Sequence, residues 1–561
     1  MTKLNQHKMY TNPILPGFYP DPSVCQAGEH FYLVTSSFAY YPGIPIFEST
    51  DLVNWRQIGH VLDRPSQLNL DGLKLSEGIF APTIRYDQGV FYVITTNVGG
   101  GGNFIVTATD PAGTWSDPYW LPEAPGIDPS LFFDDQGRTY YVGTRPNPAG
   151  PAYDGDWEIW LQELDLSKMQ LIGEQYSLWK GALREAIWPE GPHLYKHNGY
   201  YYLLIAEGGT GHHHAVSIAR SKDVTGPYVG NPANPILTHR HLGVDYPIVN
   251  VGHGDLIQTP SNQWWLVVLA SRPYGGYYRN LGRETFLTPV RWEGEWPVVS
   301  PGTGKVEFSY PVPDLPESNG LPLLTCDHFD EPVLDLRWDC LRTPREQWWS
   351  LTDRPGYLRL FLRPETISKR ENPSFIGRRQ QHQSFLAQTV LEFVPEKEHE
   401  EAGLVCFQND QNHYRLVRTK HDSCQVIKLF KCEGGSESTL AEVGVTAPRI
   451  YLQVIGRGQD YHFYYGEHSN DLQLLHGPVD GRLLSTDRAG GFVGAYIGLY
   501  ASSNGASSNN HADFDWFEYQ VLPLFPRLLT IHLGSTLRLP LHSNLRNRGY
   551  YSCGFKINRS V

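Results

Sequence analysis

Short apolar stretches alternate with turns rich in Gly, Pro, Asn and Asp from residue 20 to about residue 300. The stretches are rich in aromatic and β-branched side chains, and a helical spacing of apolar positions is almost absent. Runs of about four to eight such residues between turn residues are typical of β-strands. This part of the chain is therefore predicted to be all-β.

One motif recurs within this region. Tyr19–Val24, Gly126–Leu131 and Trp188–Tyr195 each place a carboxylate and a proline before an apolar strand, and similar units without that arrangement begin at Ala81 and Gly252. The five units begin about 45 to 65 residues apart, and each has room for four strands. Repeats of this length are typical of a β-propeller, whose blades bury their faces against one another. We predict five blades.

The rest of the chain changes character twice. A five-bladed propeller over residues 10–300 is followed by a Pro- and Gly-rich linker over residues 301–324. Residues 325–520 alternate apolar and polar positions over many strands, which predicts a two-sheet β-sandwich. The tail, residues 521–561, has six basic residues and no acid. It is compatible with contact to the acidic body, with contact to a second subunit of a homo-oligomer, or with a poorly ordered extension.

Composition narrows the class of protein. With 561 residues the chain is too long for one core, and the combination of 19% charged and 13% aromatic residues suits a well-packed globular protein. The net charge of −13 argues against a nucleic-acid partner, since phosphates would be repelled. No apolar run is long enough for a signal peptide or a membrane span. Seven cysteines at scattered spacings indicate reduced thiols in a cytoplasmic protein.

Three acids stand at corresponding places in the repeats. The first strand of each blade lines the axis of a propeller, so Asp21, Asp128 and Glu190 are expected to converge at the mouth of a central pocket. The structural alternative is that Asp-Pro and Glu-Gly pairs only start turns. Clustered carboxylates repel and shift one another's pKa, a cost that a purely structural role does not explain. We therefore interpret the three acids as catalytic.

Aromatic side chains gather near the same rim. Flat rings beside acids suit a sugar, whose C–H faces stack on the rings while its hydroxyls bond to charged groups. We assign Phe38 and Phe80 to the pocket and interpret Tyr40, Tyr41 and Trp188 as packing within the blades.

The run from His212 to His214 raises the question of a metal site. Adjacent residues of a strand point to opposite faces, so three in a row cannot bind one ion without distortion. A zinc site is therefore not expected here, and no cofactor is expected to be required for catalysis.

The ordered set of motifs resembles glycoside hydrolase family 43, particularly its two-domain β-xylosidase and α-L-arabinofuranosidase branch. The likeness extends over about residues 10 to 520, and single motifs are weak while the set is specific. The segments that carry it are Tyr19–Ser23, Glu77–Pro82, Ile127–Leu131, Trp188–Pro192, Gly252–Gly254 and Gly282–Thr285.

The resemblance implies a role for each acid. Asp21 matches the general base that activates a water, and Glu190 matches the general acid that protonates the leaving oxygen. Asp128 matches the acid that orients Glu190 and raises its pKa. The family inverts anomeric configuration, and an inverting pair needs room for a water, with its carboxyls about 6.5–9.5 Å apart. The base must be ionised and the acid protonated at one pH.

The resemblance also implies substrate contacts. His214, His253 and Arg283 match positions near the sugar, and Arg283 could bond its hydroxyls and balance the acids. A salt bridge from Arg283 to Glu284 is the structural alternative. Some relatives hold a calcium ion above a histidine at the position of His253, but a guanidinium and a dication would compete for one site.

In the resembling branch the second domain is a concanavalin-like sandwich with a loop that closes one side of the pocket. Such sandwiches often hold a structural Ca²⁺, and Asp327, Asp513 and Asp515 occupy the corresponding places. The alternative is that these three are solvated surface acids.

These observations and the resemblance predict an inverting exo-glycosidase that removes terminal pentoses. The first hypothesis is a β-1,4-xylosidase that acts on short xylo-oligosaccharides. Phe80 stands where related xylosidases usually carry Trp, and Ile127 stands where they carry an aromatic residue. This smaller wall leaves room for an α-L-arabinofuranosidase acting on arabinoxylan fragments, or for both activities. An alternative of a different class is a propeller that only binds glycans, although such a module needs no acid with a raised pKa.

Overall fold

The N-terminal part of the chain is a five-bladed propeller, as predicted. The computed structural model describes residues 8–183, 185, 187–318 and 325–523. Each blade is an antiparallel sheet built from one continuous stretch of chain, with its strands in sequence order from the axis outwards. Nearly all of the predicted basic tail lies outside the described residues.

The strands of the first three blades are as follows. Blade 1 contains Ser23–Ala27, His30–Val34, Gly43–Ser49 and Arg56–Leu62. Blade 2 contains Gly78–Asp87, Val90–Val98, Gly102–Ala108 and Tyr119–Trp120. Blade 3 contains Ile127–Phe133, Thr139–Pro146, Trp157–Asp165 and Gln170–Trp179.

The last two blades have the same plan. Blade 4 contains Glu190–His197, Tyr200–Glu207, Ala215–Ser221 and Val229–Gly230, with Leu237–Thr238 beside its third strand. Blade 5 contains Val249–Gln258, Trp264–Ser271, Glu284–Glu293 and Trp296–Val299. Apolar clusters fill the spaces between neighbouring blades, which is how repeats that cannot bury both faces alone become stable.

The ring closes through contacts between the first and last blades. The N-terminal strand Met9–Thr11 pairs with Ser309–Pro311, so part of the stretch predicted as a linker is a strand packed on the propeller. The side chain of Asn12 bonds the backbone of Leu287 in both directions, as donor at 2.8 Å and as acceptor at 2.9 Å. These bonds tie the start of the chain to blade 5.

The second domain is a concanavalin-like sandwich of two antiparallel sheets. The first sheet contains, in spatial order, Trp349–Ser350, Leu358–Phe361, His511–Val521, Ser384–Glu392, Arg449–Arg457, Asp460–Gly466 and Gln473–Asp480, with Cys326–Asp327 beside His511–Val521. The second sheet contains Ser436–Gly444, Cys424–Glu433, Asn412–His421, Glu401–Asn409, Tyr496–Ser502, Ser374–Arg379, Asp339–Leu341 and Tyr40–Tyr41. One large apolar core lies between the sheets.

The two domains share a sheet and a buried core. Tyr40–Tyr41 comes from the propeller and pairs with Asp339–Leu341 of the sandwich. The buried Arg379 donates to the Phe18 carbonyl at 2.8 Å and to Asp339 at 2.6 Å. Because one guanidinium satisfies acceptors from both domains, the sandwich is held in a defined position against blade 1.

Two further observations bear on the sequence-based expectations. In the described part of the chain, no helix is long and apolar enough to cross a membrane. The six cysteines of that part form no disulfide, and Cys553 lies outside it. The helical elements there are two single turns of the sandwich, Gly481–Leu484 and Thr486–Ala489.

Candidate active site

A cavity of about 520 Å³ opens where the inner strands of the blades begin. All eight residues predicted for catalysis or substrate contact line it. They are Asp21, Phe38, Phe80, Asp128, Glu190, His214, His253 and Arg283. The repeat-based argument that distant acids would meet at one end of a propeller therefore agrees with the structure.

Irregular backbone at the start of the inner strands aims the acids into this cavity. Asp21 and Asp128 have φ angles of 54° and 52°, in the left-handed region that most side chains avoid. The pairing of Ile127–Phe133 with its neighbour shifts register around Asp128, which is the mark of a β-bulge. Bulges re-aim side chains beside active sites, and here they turn an acid away from the sheet face.

Glu190 reaches the cavity from a different position in the repeat. Asp128 directly precedes its proline, whereas Gly191 stands between Glu190 and Pro192. Gly191 has the positive φ, 56°, and a Cβ there would lie 2.7 Å from the ring of His253. The repeated motif predicts that the three acids occupy equivalent positions in their blades. In the structure the acid of blade 4 stands one residue earlier.

Asp21 is held in its ionised form. Its Oδ1 accepts from Arg283 Nη1 at 2.7 Å, and its Oδ2 accepts from Ser36 Oγ at 2.6 Å. Burial alone would raise the pKa of Asp21, but Arg283, His253 and the Ser36 bond together lower it below its ordinary value. A carboxylate with these partners is suited to accept a proton from a water molecule.

Glu190 and Asp128 have the opposite tendency. Burial, reinforced by the charge of Asp21, raises the pKa of Glu190 to about 7, although Arg283 opposes this. Burial, together with Glu190 and Asp21, also raises the pKa of Asp128, and a hydrogen bond from the Gly191 N–H opposes it. The two groups therefore favour a protonated form beside an ionised Asp21. The expected effect of Asp128 on the pKa of Glu190 stays a prediction.

Arg283 contacts the base and not its sequence neighbour. Besides Asp21 it donates to Thr210 Oγ1 at 3.2 Å. Glu284, the alternative partner, accepts instead from Arg272 at 2.7 Å. The Nε of Arg283 is buried and has no hydrogen-bond partner among the described residues, so it is free to bond a ligand.

The two pocket histidines are neutral. Burial lowers the pKa of His214 to about 3, and its Nδ1 lies 3.0 Å from the Asn250 carbonyl. Because a carbonyl can only accept, Nδ1 carries the proton, and the unpartnered Nε2 offers a lone pair to a donor such as a sugar hydroxyl. His253 Nδ1 lies 3.9 Å from Asp21 Oδ1, and burial lowers the pKa of His253. The charge of Arg283 also opposes protonation of His253, and that charge is already paired with Asp21.

Aromatic rings form one wall of the cavity. Phe38 and Phe80 lie 5.0 Å apart between ring centroids, and Phe492 of the sandwich lies 6.1 Å from each. This confirms the expectation that a sandwich loop closes one side of the pocket. The interpretation of Trp188 as blade packing was wrong, because its ring lines the cavity, whereas Tyr40 and Tyr41 are buried away from it.

Sequence reasoning missed several lining residues. These are Trp157, Trp188, Thr210, Arg279, Thr486 and Phe492. Trp188 could have been found, because it belongs to the same motif as Glu190. Phe492 lies in the other domain, far along the chain from this motif, and no local pattern marks it.

The residues predicted to bind calcium do not fit a calcium ion. Arg359 donates two hydrogen bonds to Asp513, at 2.7 and 2.9 Å, and Arg449 forms an ion pair with Asp515. Asp327 accepts from the indole N–H of Trp338 at 2.8 Å. Guanidinium groups occupy the oxygens that a cation would need, and no group of three metal-ligating side chains was found within residues 8–318 and 325–523, the masked positions aside. His212–His214 lie in a turn that precedes the strand Ala215–Ser221, so the expectation that they alternate between the two faces of a strand was wrong.

One cavity of a five-bladed propeller thus contains an acid with a lowered pKa, suited to act as a base, and an acid with a raised pKa, suited to donate a proton. This is the pair of carboxyl groups that a glycoside hydrolase uses. Comparison with known proteins places it more narrowly. Residues 10–297 match the glycosyl hydrolases family 43, and residues 326–520 match the β-xylosidase C-terminal concanavalin A-like domain. The chain belongs to glycoside hydrolase family 43.

Its relatives resemble it over most of their length. A xylosidase/arabinosidase of Butyrivibrio fibrisolvens is 52% identical over 511 residues, which cover 90% of this chain and 98% of the relative. A non-reducing end α-L-arabinofuranosidase of Bacteroides ovatus is 40% identical and covers 92% and 95%. The crystal structure of a xylan β-1,4-xylosidase from Bacillus halodurans is 35% identical, covers 91% and 100%, and has a TM-score of 0.86.

Proposed function

We propose that the chain is an inverting exo-glycosidase that removes single pentoses from the non-reducing ends of short oligosaccharides, first of all xylose from β-1,4-linked xylo-oligosaccharides. In this mechanism Asp21 takes a proton from the attacking water while Glu190 protonates the leaving oxygen. Asp128 orients Glu190. The observation that carries the proposal is the contrast between Asp21, whose pKa is lowered, and Glu190, whose pKa is raised to about 7, in one cavity.

The shape of the cavity supports exo action. A volume of about 520 Å³ suits a short ligand, and Phe492 from the sandwich stands across one side. A wall on that side is what an enzyme acting on chain ends requires, because it would stop a chain from continuing past the terminal sugar. Arg283, through its free Nε, and His214, through its Nε2, provide polar contacts for sugar hydroxyls beside the three phenylalanine rings.

An α-L-arabinofuranosidase activity is the second candidate. Phe80 and Ile127 line the cavity where related xylosidases carry larger rings, and the relative that is 52% identical is named for both activities. Smaller side chains at these two positions leave a wider cavity, which accommodates a furanose as well as a pyranose. We include the bifunctional case in the proposal, and a cytoplasmic location, which would restrict the enzyme to short imported substrates.

A glycan-binding module without activity is a weaker candidate. Binding alone gives no reason to keep a carboxyl with a raised pKa opposite an ionised one, since each costs stability.

Turnover of 4-nitrophenyl β-D-xylopyranoside and of 4-nitrophenyl α-L-arabinofuranoside tests the proposal. We expect both to be hydrolysed, the xyloside with the larger kcat/KM. Proton NMR of xylobiose hydrolysis should show α-xylose as the first product, because a single displacement inverts the β-linkage. A β-anomer would exclude the inverting mechanism, and no turnover of any aryl pentoside would favour the binding module.

A further inference from the structure

A short segment of the sandwich, residues 481–493, forms part of the cavity wall. It contains the two helical turns Gly481–Leu484 and Thr486–Ala489, and Thr486, Gly491 and Phe492 line the cavity. We call residues 481–493 the covering segment. Its position is set by contacts to the propeller and by bonds within the sandwich, from Gln408 to the Val493 carbonyl at 2.8 Å and from Asn409 to the Ala489 carbonyl at 3.2 Å.

One ion pair dominates these contacts. Asp487 accepts from the backbone N–H of Arg279 at 2.7 Å, from its Nε at 3.0 Å and from its Nη2 at 2.8 Å. The side chains are only 15% and 14% exposed, so water screens the pair poorly. A fork of this kind fixes direction as well as distance. Backbone and side chain of one propeller residue thus hold a single carboxylate of the covering segment.

Further bonds join the same two stretches of chain. Asn280 donates to the Gly481 carbonyl at 2.6 Å, and its own carbonyl accepts from the N–H of Ala495 at 2.7 Å. Thr486 Oγ1 donates to the Arg279 carbonyl at 3.3 Å. The segment beginning at Arg279 continues after three residues to Arg283, which holds the base. The covering segment and Asp21 are therefore both bonded to the same short stretch of the propeller, residues 279–283.

Arg279 itself lines the cavity, and it is connected through Asn250 to His214, which also lines the cavity. With the Asn250 side-chain amide assigned so that both its oxygen and its nitrogen have partners, its Oδ1 accepts from Arg279 Nη1 at 2.6 Å. The backbone carbonyl of the same Asn250 accepts from His214 Nδ1. A chain of bonds therefore runs from Asp487 through Arg279 and Asn250 to His214.

We infer that Asp487 is a positioning residue that, through Arg279, holds the covering segment and the sugar-binding side of the cavity in place. The inference rests on the proposed function, because it assigns the affected contacts to the terminal sugar. Without Asp487 a poorly exposed guanidinium loses its carboxylate beside the acids of the cavity. The bonds from Asn280 to Gly481, from Thr486 to Arg279 and from the Phe492 N–H to Ser76 then remain to hold the covering segment on the propeller. Binding of the sugar weakens, while the proton transfers of Asp21 and Glu190 persist.

The same helical turn offers a matched control. Arg488, the next residue, donates to Glu433 at 2.8 Å within the sandwich, and these side chains are 42% and 43% exposed. Removing this pair deletes an ion pair from the covering segment without touching the propeller. Exposed pairs of this type contribute little to stability.

The test compares Asp487→Asn, Arg279→Met, the double variant and Arg488→Met. We expect Asp487→Asn to raise KM for 4-nitrophenyl β-D-xylopyranoside, and the inhibition constant of free xylose, by about tenfold, with kcat changed less than about threefold. The double variant should be no worse than the worse single variant, because both remove the same interaction. Arg488→Met should match the parent protein.

Hydrogen exchange of the covering segment measures the anchor without any substrate. Asp487→Asn should accelerate exchange in residues 481–493, and Arg488→Met should not. Unchanged exchange together with unchanged KM in Asp487→Asn overturns the inference, as does an equal effect of Arg488→Met. If the parent protein hydrolyses no aryl pentoside, the proposed function fails, and exchange still decides whether Asp487 anchors the segment.

Discussion

The pKa values of two acids on neighbouring inner strands of the propeller are shifted in opposite directions. Asp255 of blade 5 is fully buried and accepts from Arg85 at 2.8 Å, Tyr195 at 2.6 Å and Ser23 at 2.7 Å. These partners outweigh burial and lower its pKa. The carboxyl of Glu190 in blade 4 faces the cavity and accepts no hydrogen bond from the described residues, and burial raises its pKa to about 7.

The comparison shows that donors and exposure together separate a structural acid from a functional one. Asp255 is fully buried and compensated by a full set of partners, whereas Glu190 lines the cavity and is partly exposed. The two arginines differ in the same way. Arg85 uses its guanidinium on Asp255 and His193, whereas Arg283 keeps a buried Nε without a described partner. Groups left unsatisfied mark the place where a ligand completes the site.

The largest expected effect is that of Asp21→Asn. The amide keeps the volume of the side chain but cannot take a proton from water, so kcat should fall by about 10³-fold or more on aryl pentosides and on xylobiose alike. Steady-state assays on all substrates measure this. Retention of more than a few per cent of activity would contradict the assignment of Asp21 as the base.

Glu190→Gln should depend on the leaving group. Xylobiose needs a protonated leaving oxygen and should lose about 10²–10³-fold in kcat, whereas 4-nitrophenol leaves without help and should lose much less. A series of aryl xylosides of differing leaving-group pKa measures the difference. Equal losses across the series would show that Glu190 is not the acid.

The fold and the acids were predictable because they repeat. A carboxylate and a proline before an apolar strand recur at blade spacing, and the geometry of a propeller brings such positions together. The offset of Glu190 was also visible in Glu190-Gly191-Pro192, but its meaning required the ring of His253 beside Gly191. The repeated motif thus predicts which residues come together in the cavity, but it does not predict the local backbone that positions each one.

Features that depend on pairing between distant strands were not predictable. Asp513 is directly opposite Arg359 on the neighbouring strand, so an arginine takes the place of the expected calcium ion. Phe492 reaches the cavity because the sandwich packs on blade 1, a docking that no repeat encodes. Register and domain contacts arise from the whole structure.

Arg85→Met should affect folding and leave chemistry intact. It leaves the buried Asp255 with the hydrogen bonds of Tyr195 and Ser23 but without its arginine, and breaking a buried pair typically costs about 3–5 kcal/mol. Urea unfolding measures the free energy of unfolding, and kcat per folded molecule should change little. The matched variant Arg283→Met also breaks a buried pair and should lower stability as well, but it should add a large loss of kcat/KM per folded molecule. The distinction between the two pairs would collapse if both variants lost mainly stability.

The smallest effect concerns the pH profile of kcat/KM. Activity needs Asp21 ionised, so it falls at low pH, and it needs Glu190 protonated, so it falls as the pH rises through about 7. Ser36 donates to the ionised Asp21, and Ser36→Ala should therefore raise the pKa of Asp21. The acidic limb should move to higher pH by about one unit, while the alkaline limb stays in place.

Ser23→Ala is the matched control for this shift, because Ser23 makes a bond of nearly the same length to Asp255. Asp255 takes no part in proton transfer, so the loss of that bond should lower the free energy of unfolding slightly and leave both limbs unmoved. A shift of the acidic limb in Ser23→Ala, or none in Ser36→Ala, would mean that the hydrogen bond to Asp21 does not keep the base ionised. The contrast between the two acids would then rest on their charged partners alone.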